Sequence, residues 1–556
     1  MIIYVVMHIV ENTSKQGKMI YRSVLLRESY RESGKVKKRT IANLSNCSLK
    51  EIAAIKLALR HKDDLSSLVD LGNDIHLQEG LSVGAVWTVY QVAKRLGIEK
   101  ALGCDFNGKL ALWQIIARVI DQGSRLSAVR LAQTHAACDI LGITRGFNED
   151  HLYENLSWLA DRQDQLEDRL FSARRRKEAA EIFLYDVTSS YLEGDKNYFG
   201  EYGHNRDGKK GKKQIVMGLL CDQYGEPVSV EVFSGNTQDP KTFIPQVKKV
   251  VERFGCRGVT FVGDRGMIKS SQIKELPDGF HYITAITKPQ ILSLYNQGVI
   301  QIDLFDTDLY EVQDEGVRYI LRRNPARTKE LEENRLSKYK RVEELTARKN
   351  LYLEEHSRAK VSTALKEINE KIGQLKIGKW VRVQSQDRTL TIQTDQESLE
   401  KESCLDGCYA IKTDLPKSSA DAHIIHDRYK DLVLVEKAFR NCKTTLLEVR
   451  PVFVRTEKST RGHVLIVMLS YMILRYLQQA WRQFDLTAEE GVKKLCTLTS
   501  IEMKVKDQQS VLKIPTPREE SRKLLAAMDI KMPMVLPHKN VPVVTKKKLQ
   551  TERNLL

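Results

Sequence analysis

Glu181-Ile182-Phe183-Leu184-Tyr185-Asp186-Val187-Thr188-Ser189-Ser190 is the stretch on which the fold turns. Its apolar, aromatic and β-branched residues predict a buried strand, yet Asp186 places a carboxylate in its C-terminal half. A lone buried charge is costly unless something pairs with it or binds to it. One account is local: a turn-initiating Asp, or one satisfied by the Thr188 and Ser189 hydroxyls. The other needs charged groups from elsewhere in the chain, and the following residues supply one.

Residues 214–221 (QIVMGLLC) form an apolar run, Asp222-Gln223-Tyr224-Gly225 supplies a turn, and residues 228–233 return as a strand. Asp239-Pro240 opens a helix, with proline where its missing N–H does no harm. Phe243, Val247, Val250 and Val251 give that helix an apolar face. A short strand over 259–262 ends in Gly263-Asp264-Arg265-Gly266-Met267, and a helix over 270–276 and a strand over 281–286 follow. Strand, strand, strand, helix, strand, helix, strand is the ribonuclease-H-like order, in which the first and fourth strands bring their ends together. Asp186 and Asp264 then become neighbours. Two such carboxylates suit Mg²⁺, a hard cation that takes oxygen ligands and keeps waters for a substrate phosphate. A third carboxylate is wanted on a helix against the sheet.

Residues 289–404 break this pattern and predict an insertion domain. A strand pair around Asp314-Glu315-Gly316 comes first. The densely charged stretch 328–375 follows, its apolar residues stepping by three and four as in a helical hairpin. Residues 380–383 (WVRV) and 389–394 (TLTIQT) predict strands returning to the body. The core resumes over 405–485 with a last strand at 407–412 and a single helix from about 424. That helix carries Glu436 among Val433, Val435 and Phe439, partly on its apolar face. Arg440 and Lys443 follow at i+4 and i+7, on the same face. Alone, the three would be surface salt bridges.

Upstream, residues 1–48 alternate as strands and predict a hairpin turning at Ser33-Gly34, with Lys35, Lys37, Lys38 and Arg39 on its second arm. Residues 49–180 have helical periodicity, broken at Gly123-Ser124 as in a DNA-binding helix-turn-helix or any helical bundle. Residues 464–474 (VLIVMLSYMIL), stopped by Arg475, fall short of a membrane span and predict a buried core helix. Residues 486–556 predict a C-terminal tail. It opens on a capping-box pattern at Thr487 and Glu490 and ends in LPHKNVPVVTKKKLQ, read as flexible or partner-contacting.

The chain of 556 residues is long enough for several domains. Its 89 Lys and Arg against 72 Asp and Glu give +17, and the pI is about 9.2. Such a balance favours a polyanionic partner, nucleic acid first, with a ribosome-associated or membrane-surface protein as the competing class. Nine scattered cysteines, with Cys404 and Cys408 lacking a second zinc-ligand pair, predict thiols in a reducing cytoplasm. The N-terminus, MIIYVVMHIV, lacks the basic start of a signal peptide.

Taken together these residues match a known pattern. Tyr429-x2-Leu432-x3-Glu436-x6-Lys443 resembles the Tyr-x2-Arg-x3-Glu-x6-Lys signature of bacterial insertion-sequence transposases of the DDE type. YDVTSSYLEG, FSGNTQDPKTF and FVGDRGM resemble that family's segments around its two catalytic aspartates. RTEKSTRGH, ending in His463, resembles its segment after the glutamate. The similarity runs from the N-terminal hairpin to about residue 485. One position departs: Leu432 replaces the signature arginine, which leaves Arg440 or Arg428 as candidates for its DNA contact.

The resemblance implies an α/β ribonuclease-H-like catalytic core interrupted by an insertion domain, with a largely helical N-terminal region. It implies that Asp186, Asp264 and Glu436 are catalytic and hold two Mg²⁺ ions, with Mn²⁺ substituting. Tyr429 and Lys443 would contact the backbone of the element's end, and Arg440, Arg265 and His463 would add to the DNA surface. Apart from the resemblance, the run Lys209, Lys210, Lys212 and Lys213, just before the second strand, reads either as a phosphate grip near the site or as a solvated loop. The expected activity is metal-dependent cleavage at the insertion-sequence ends and joining of the freed 3′-hydroxyls to target DNA. The expected partners are double-stranded DNA, as terminal inverted repeats and target, and a second copy of the chain in the synaptic complex. The expected location is the bacterial cytoplasm, on the nucleoid when bound, with no membrane. Two competing readings are a ribonuclease-H-like nuclease without strand transfer and an inactive transposase-derived DNA-binding protein.

Overall fold

The computed structural model describes residues 6–16, 19–32, 35–62, 75–175, 182–444, 447–450, 452–505, 511–537 and 539–546. The turn expected at Ser33-Gly34 lies outside them. The chain divides into two compact units. One is Met1–Gly80 with Ser500–Pro515 and Met534–His538; the other is Leu81–Thr499 with Thr516–Pro533 and Lys539–Leu556.

In the first unit, β1 (Val6–Gln16), β2 (Met19–Glu32) and β3 (Lys35–Asn43) form a three-stranded antiparallel sheet, one strand more than the expected hairpin. Helix Leu49–Arg60 follows, its start fixed by a reciprocal Ser48–Glu51 capping box. The region expected to be helical also contains a strand, β4 (Ile75–Ser82), which pairs with strands from the far end of the chain.

The second unit opens with helices Gly84–Arg95, Ile98–Leu102, Phe106–Ile120, Arg125–Thr134, Ala137–Leu141, Glu149–Ala160 and Gln163–Arg175. Phe106–Ile120 is buried along most of its length. With Glu149–Ala160 it packs on Glu457–Ala480, the helix that carries the apolar run 464–474 into the core. The break at Gly123-Ser124 is a capped corner of this bundle, with Ser124 Oγ accepting from the Ser127 N–H at 3.2 Å.

The strand-rich core follows the order that the pattern predicts: β5 (Ile182–Tyr191), β6 (Gln214–Asp222), β7 (Pro227–Ser234), helix Asp239–Glu252, β8 (Thr260–Gly263), helix Ser270–Lys274 and β9 (His281–Ala285). β5, β6 and β7 run antiparallel as a meander, while β8 lies parallel to both β5 and β9. Phe183, Tyr185 and Val187 of β5 pack with Phe243, Val247 and Phe261 beneath helix Asp239–Glu252. Side chains alternate along a strand, so Asp186 projects from the opposite face, where helix Leu432–Lys443 packs on β5.

The next pair, β10 (Tyr310–Asp314) and β11 (Val317–Arg323), was expected in the insertion but extends this sheet. Ile320 and Leu321 are fully buried, so β11 is an interior strand. The insertion proper is helix Pro325–Glu355, helix Val361–Leu375, β12 (Val381–Gln386), β13 (Thr389–Thr394) and helix Gln396–Ser403. β12 and β13 do not return to the body. They pair with each other and bury Val381, Val383 and Leu390 against Val342, Ile368 and Ile372 of the helical hairpin, giving the insertion its own core. β14 (Cys408–Thr413) then completes an eight-stranded mixed sheet of order β10-β11-β14-β9-β8-β5-β6-β7.

The C-terminal region is folded rather than a tail. The Thr487–Glu490 capping box starts helix Ala488–Cys496. β15 (Thr499–Val505), β16 (Val511–Lys513) and β17 (Val535–Leu536) form the sheet β17-β16-β15-β4. Of the basic stretch 536–550, residues 538 and 547–550 lie outside the described residues. The Lys539 N–H donates to Asp139 at 2.7 Å and the Lys546 N–H to Glu149 at 3.1 Å, so residues 539–546 lie along the helical region. No helix among the described residues is long and apolar enough to cross a membrane.

Candidate active site

The strand side of the site follows from register. Tyr185 of β5 stands opposite Gly263 of β8, so the next residues, Asp186 and Asp264, leave adjacent parallel strands at the same level. Asp186 Oδ1 accepts the Val187 N–H at 2.8 Å, and Asp264 Oδ1 accepts the Arg265 N–H at 2.8 Å. The Ser189 hydroxyl is not the partner of Asp186: its Oγ accepts the Arg206 N–H at 2.9 Å. Burial pushes the Asp186 carboxyl up to about 7, and the charges of Asp264 and Glu436 push the same way. The Val187 N–H and the Arg206 guanidinium oppose the shift.

The helix side differs from expectation. The helix expected from about 424 is two, Ala422–Lys430 and Leu432–Lys443, parted at Asp431. Tyr429 therefore sits on the first and Glu436 on the second. The second helix buries Val435, Ala438, Phe439 and Cys442, while Val433 is 60% exposed and Glu436 is also exposed. The Tyr429 hydroxyl reaches Asp264 Oδ1 at 3.4 Å, long for such a bond. Its pKa is raised, by burial first and then by the Asp264 charge.

Asp186, Asp264 and Glu436 line one cavity of about 290 Å³, together with Arg206, Asp239 and Phe439. Arg206 bridges two walls, donating to the Val187 carbonyl at 2.8 Å and to Asp239 at 2.6 Å. Neither Arg206 nor Asp239 stood out in the sequence as a site residue. Arg206 lies in an aperiodic loop, and Asp239 reads as a helix opener.

The basic residues divide into two groups. Arg265 and Arg440 are exposed, the latter one turn beyond Glu436. Lys209, Lys210 and Lys212 are exposed on the loop between β5 and β6. Lys212 pairs with Glu193 at 3.0 Å, and Lys209 and Lys213 lie over the rings of Tyr191 and Tyr202. Arg428 pairs with Asp431 at 3.2 Å.

Two residues expected at a DNA surface are internal. Lys443 is 10% exposed and pairs with Asp207 at 3.0 Å. His463 is 6% exposed and engaged on both ring nitrogens. Its Nε2 is 3.1 Å from the Val449 carbonyl, which requires an N–H there, so Nδ1 accepts from Arg125 at 3.0 Å. Burial first, and then the neighbouring Arg125 and Arg118 charges, hold its pKa well below the ordinary histidine value. Both residues follow Glu436 in sequence, but the fold turns them inward.

Besides the Arg206-paired Asp239, the cavity presents three carboxylates, the kind of oxygen donor that a hard divalent cation takes. Burial, the main cause of the raised Asp186 pKa, and the lesser repulsion from Asp264 and Glu436 are both costs that such a cation would offset. The carboxylates are not drawn into a closed cage: among the described residues, no three His, Cys, Asp or Glu side chains already stand at gripping distance of one ion.

Comparison with known proteins gives the family. Residues 8–68 match the IS1634 family transposase N-terminal domain, and residues 177–473 match the transposase DDE domain. No curated protein matches the chain. A piggyBac transposase, solved as a synaptic complex with hairpin DNA, aligns at a TM-score of 0.32 and 8% identity over 74% of this chain and 75% of that one. The DDE domain alone spans more than half of the sequence and contains Asp186, Asp264 and Glu436, and the chain belongs to the insertion-sequence transposases of the DDE type.

Proposed function

We propose that this transposase binds the ends of its insertion sequence, cleaves DNA there by metal-dependent hydrolysis, and joins the freed 3′-hydroxyls to target DNA. The observation that carries the proposal is the meeting of Asp186, Asp264 and Glu436, from two strands and a helix, in one cavity. In this reading the eight-stranded sheet is a ribonuclease-H-like core and the three carboxylates hold Mg²⁺, for which Mn²⁺ substitutes. Bound there, a divalent cation supplies charge neutralisation for the phosphate and a more acidic bound water.

The chain's own residues do the rest. Asp186 and Asp264 fix one wall of the site through their strands, and Glu436 forms the other. Arg206 holds a positive charge beside Asp186 and ties the β5 backbone to Asp239. Tyr429, Arg265, Arg440, Lys209, Lys210, Lys212 and Lys213 form the rim that positions the DNA backbone. Lys443 and His463 support the fold from inside. Positioning a phosphodiester and neutralising its charge is most of what phosphoryl transfer asks of a protein. Two ends must be brought together, so the working form is at least a dimer on DNA.

The test incubates purified protein with oligonucleotides of the terminal inverted repeats, a target plasmid and Mg²⁺ or Mn²⁺. Cleaved and joined products are expected, and both should vanish in Asp264→Asn. Cleavage without joining would replace the proposal with a nuclease, and full joining by Asp264→Asn would remove the site assignment.

A further inference from the structure

The segment Asn205-Arg206-Asp207 lies between β5 and β6, outside both, yet its side chains reach into the site's framework. The Asp207 side chain is 2% exposed. Its Oδ1 takes Lys443 Nζ at 3.0 Å and also the Arg450 guanidinium, and its Oδ2 accepts the Tyr191 N–H at 2.9 Å. A carboxylate this buried persists because it is fully paired. Its partners lie on different elements: Tyr191 ends the strand that carries Asp186, and Lys443 ends the helix that carries Glu436. The loop is itself fixed. Asn205 Oδ1 accepts the Asp207 N–H at 2.8 Å, and the Ser189 hydroxyl, on the same strand, accepts the Arg206 N–H at 2.9 Å.

We propose that Asp207 is a positioning residue that staples the Asp186 strand to the Glu436 helix through Lys443, so that Lys443 serves the geometry of the carboxylate cavity rather than gripping DNA. The inference rests on the reading of Asp186, Asp264 and Glu436 as the metal-holding site. From Asp207 the constraint travels along one strand to Asp186 and along two turns of one helix to Glu436. Those two routes add to the direct packing of the helix on the strand in setting the distance between these carboxylates. Loss of the link would let the helix splay and move Glu436 further from Asp186. Asp207 touches no reacting atom. It acts through the two carboxylate-bearing elements.

The measurement is Mn²⁺ binding to the full-length protein without DNA, by electron paramagnetic resonance. It is paired with the salt dependence of binding to end DNA. Lys443→Met keeps the length of the side chain and leaves Asp207 paired with Arg450. It should weaken Mn²⁺ binding by about tenfold or more, as loss of a supporting partner does, and leave the salt slope of end binding unchanged. Asp207→Asn should weaken Mn²⁺ binding at least as much. The double variant should lose no more than the worse single, because both act through one link. Asp186→Asn is the control for the site and should lose Mn²⁺ binding outright.

A Lys443→Met protein that binds Mn²⁺ within twofold of wild type, with a salt slope lower by about 0.9, would make Lys443 a phosphate contact and overturn the proposal. Unchanged Mn²⁺ binding in both Asp207→Asn and Lys443→Met would overturn it too, while the site reading stands on Asp186→Asn. Wild-type Mn²⁺ binding by Asp186→Asn would bring down the site reading and this inference with it. Should Asp207→Asn fail to fold, Lys443→Met and Arg450→Met decide the matter, since each leaves Asp207 one cation.

Discussion

The two walls of the carboxylate cavity are built by different physics. Asp186 and Asp264 leave neighbouring parallel strands whose register is set by backbone hydrogen bonds and by a core of Phe183, Tyr185, Phe243 and Phe261. Glu436 comes from a helix that the chain reaches after the whole insertion, and that helix ends on a lysine tied to Asp207. The sheet wall is held by a backbone ladder and a shared aromatic core. The helix wall leans on a few long-range contacts, so individual substitutions there should move it. Under the proposed function, a two-carboxylate platform facing an adjustable helix wall would be completed by metal and DNA.

The largest effect should come from the sheet wall's own chemistry. Asp264→Asn should cut end cleavage on the order of 10³-fold, the value of several kcal/mol of lost transition-state stabilisation, with an unchanged circular dichroism spectrum. Retained cleavage would mean the strands do not carry the chemistry. Next, Phe261→Ala, at a fully buried ring under the β5–β8 pair, should destabilise the protein by about 3–5 kcal/mol in urea titration. A much smaller loss would show the sheet wall to be less rigid than its packing implies.

The helix wall offers a finer probe in Gly225, in the turn between β6 and β7. Its φ of +73° disfavours any side chain, and an added Cβ would stand 2.6 Å from the Cβ of Leu434, two residues before Glu436. Gly225→Ala should cost about 1–3 kcal/mol and weaken Mn²⁺ binding as well. Loss of stability without loss of metal affinity would separate this turn from the site.

Titration compares the walls in one measurement. The Asp186 pKa is raised, so its neutral form stabilises the metal-free protein fully below the unfolded value of 3.8. That contribution is lost as pH rises through about 7. Unfolding free energy should therefore fall across this window by up to about 1.4 kcal/mol per pH unit from this one group. The component should vanish in Asp186→Asn, and Mn²⁺ should suppress it, since metal competes with the proton. The smallest effect belongs to the rim: Arg440→Ala should leave stability within about 0.5 kcal/mol. It should lower the salt slope of end binding by about 0.9. An unchanged slope would exclude Arg440 from the DNA surface.

Much of the sheet wall was legible in the sequence because its signals are local. Strand-forming runs, turn residues and a Pro-started helix gave β5 to β9 in order, and carboxylates within or just after a buried strand marked Asp186 and Asp264. Glu436 was weaker by pattern alone, since a carboxylate with cations at i+4 and i+7 reads equally as a surface helix, and the family signature singled it out. Spacing also hid the break at Asp431, because both halves keep helical periodicity. Alternating strands announced β10 to β13, but alternation does not name a partner. β10 and β11 joined the main sheet, while β12 and β13 closed on the insertion's own core.

The local order of strands and helices, two of the three carboxylates and, through its signature, the family are therefore written in the chain. What tertiary structure alone decided is where each charge ends up. Lys443 meets Asp207 across 236 positions and His463 meets Arg125 across 338, and both leave the surface on which they were expected. Burial and pairing are properties of the closed chain. A lysine or histidine on an apolar-faced helix carries no local mark of whether the opposing surface will be water, phosphate or a buried carboxylate.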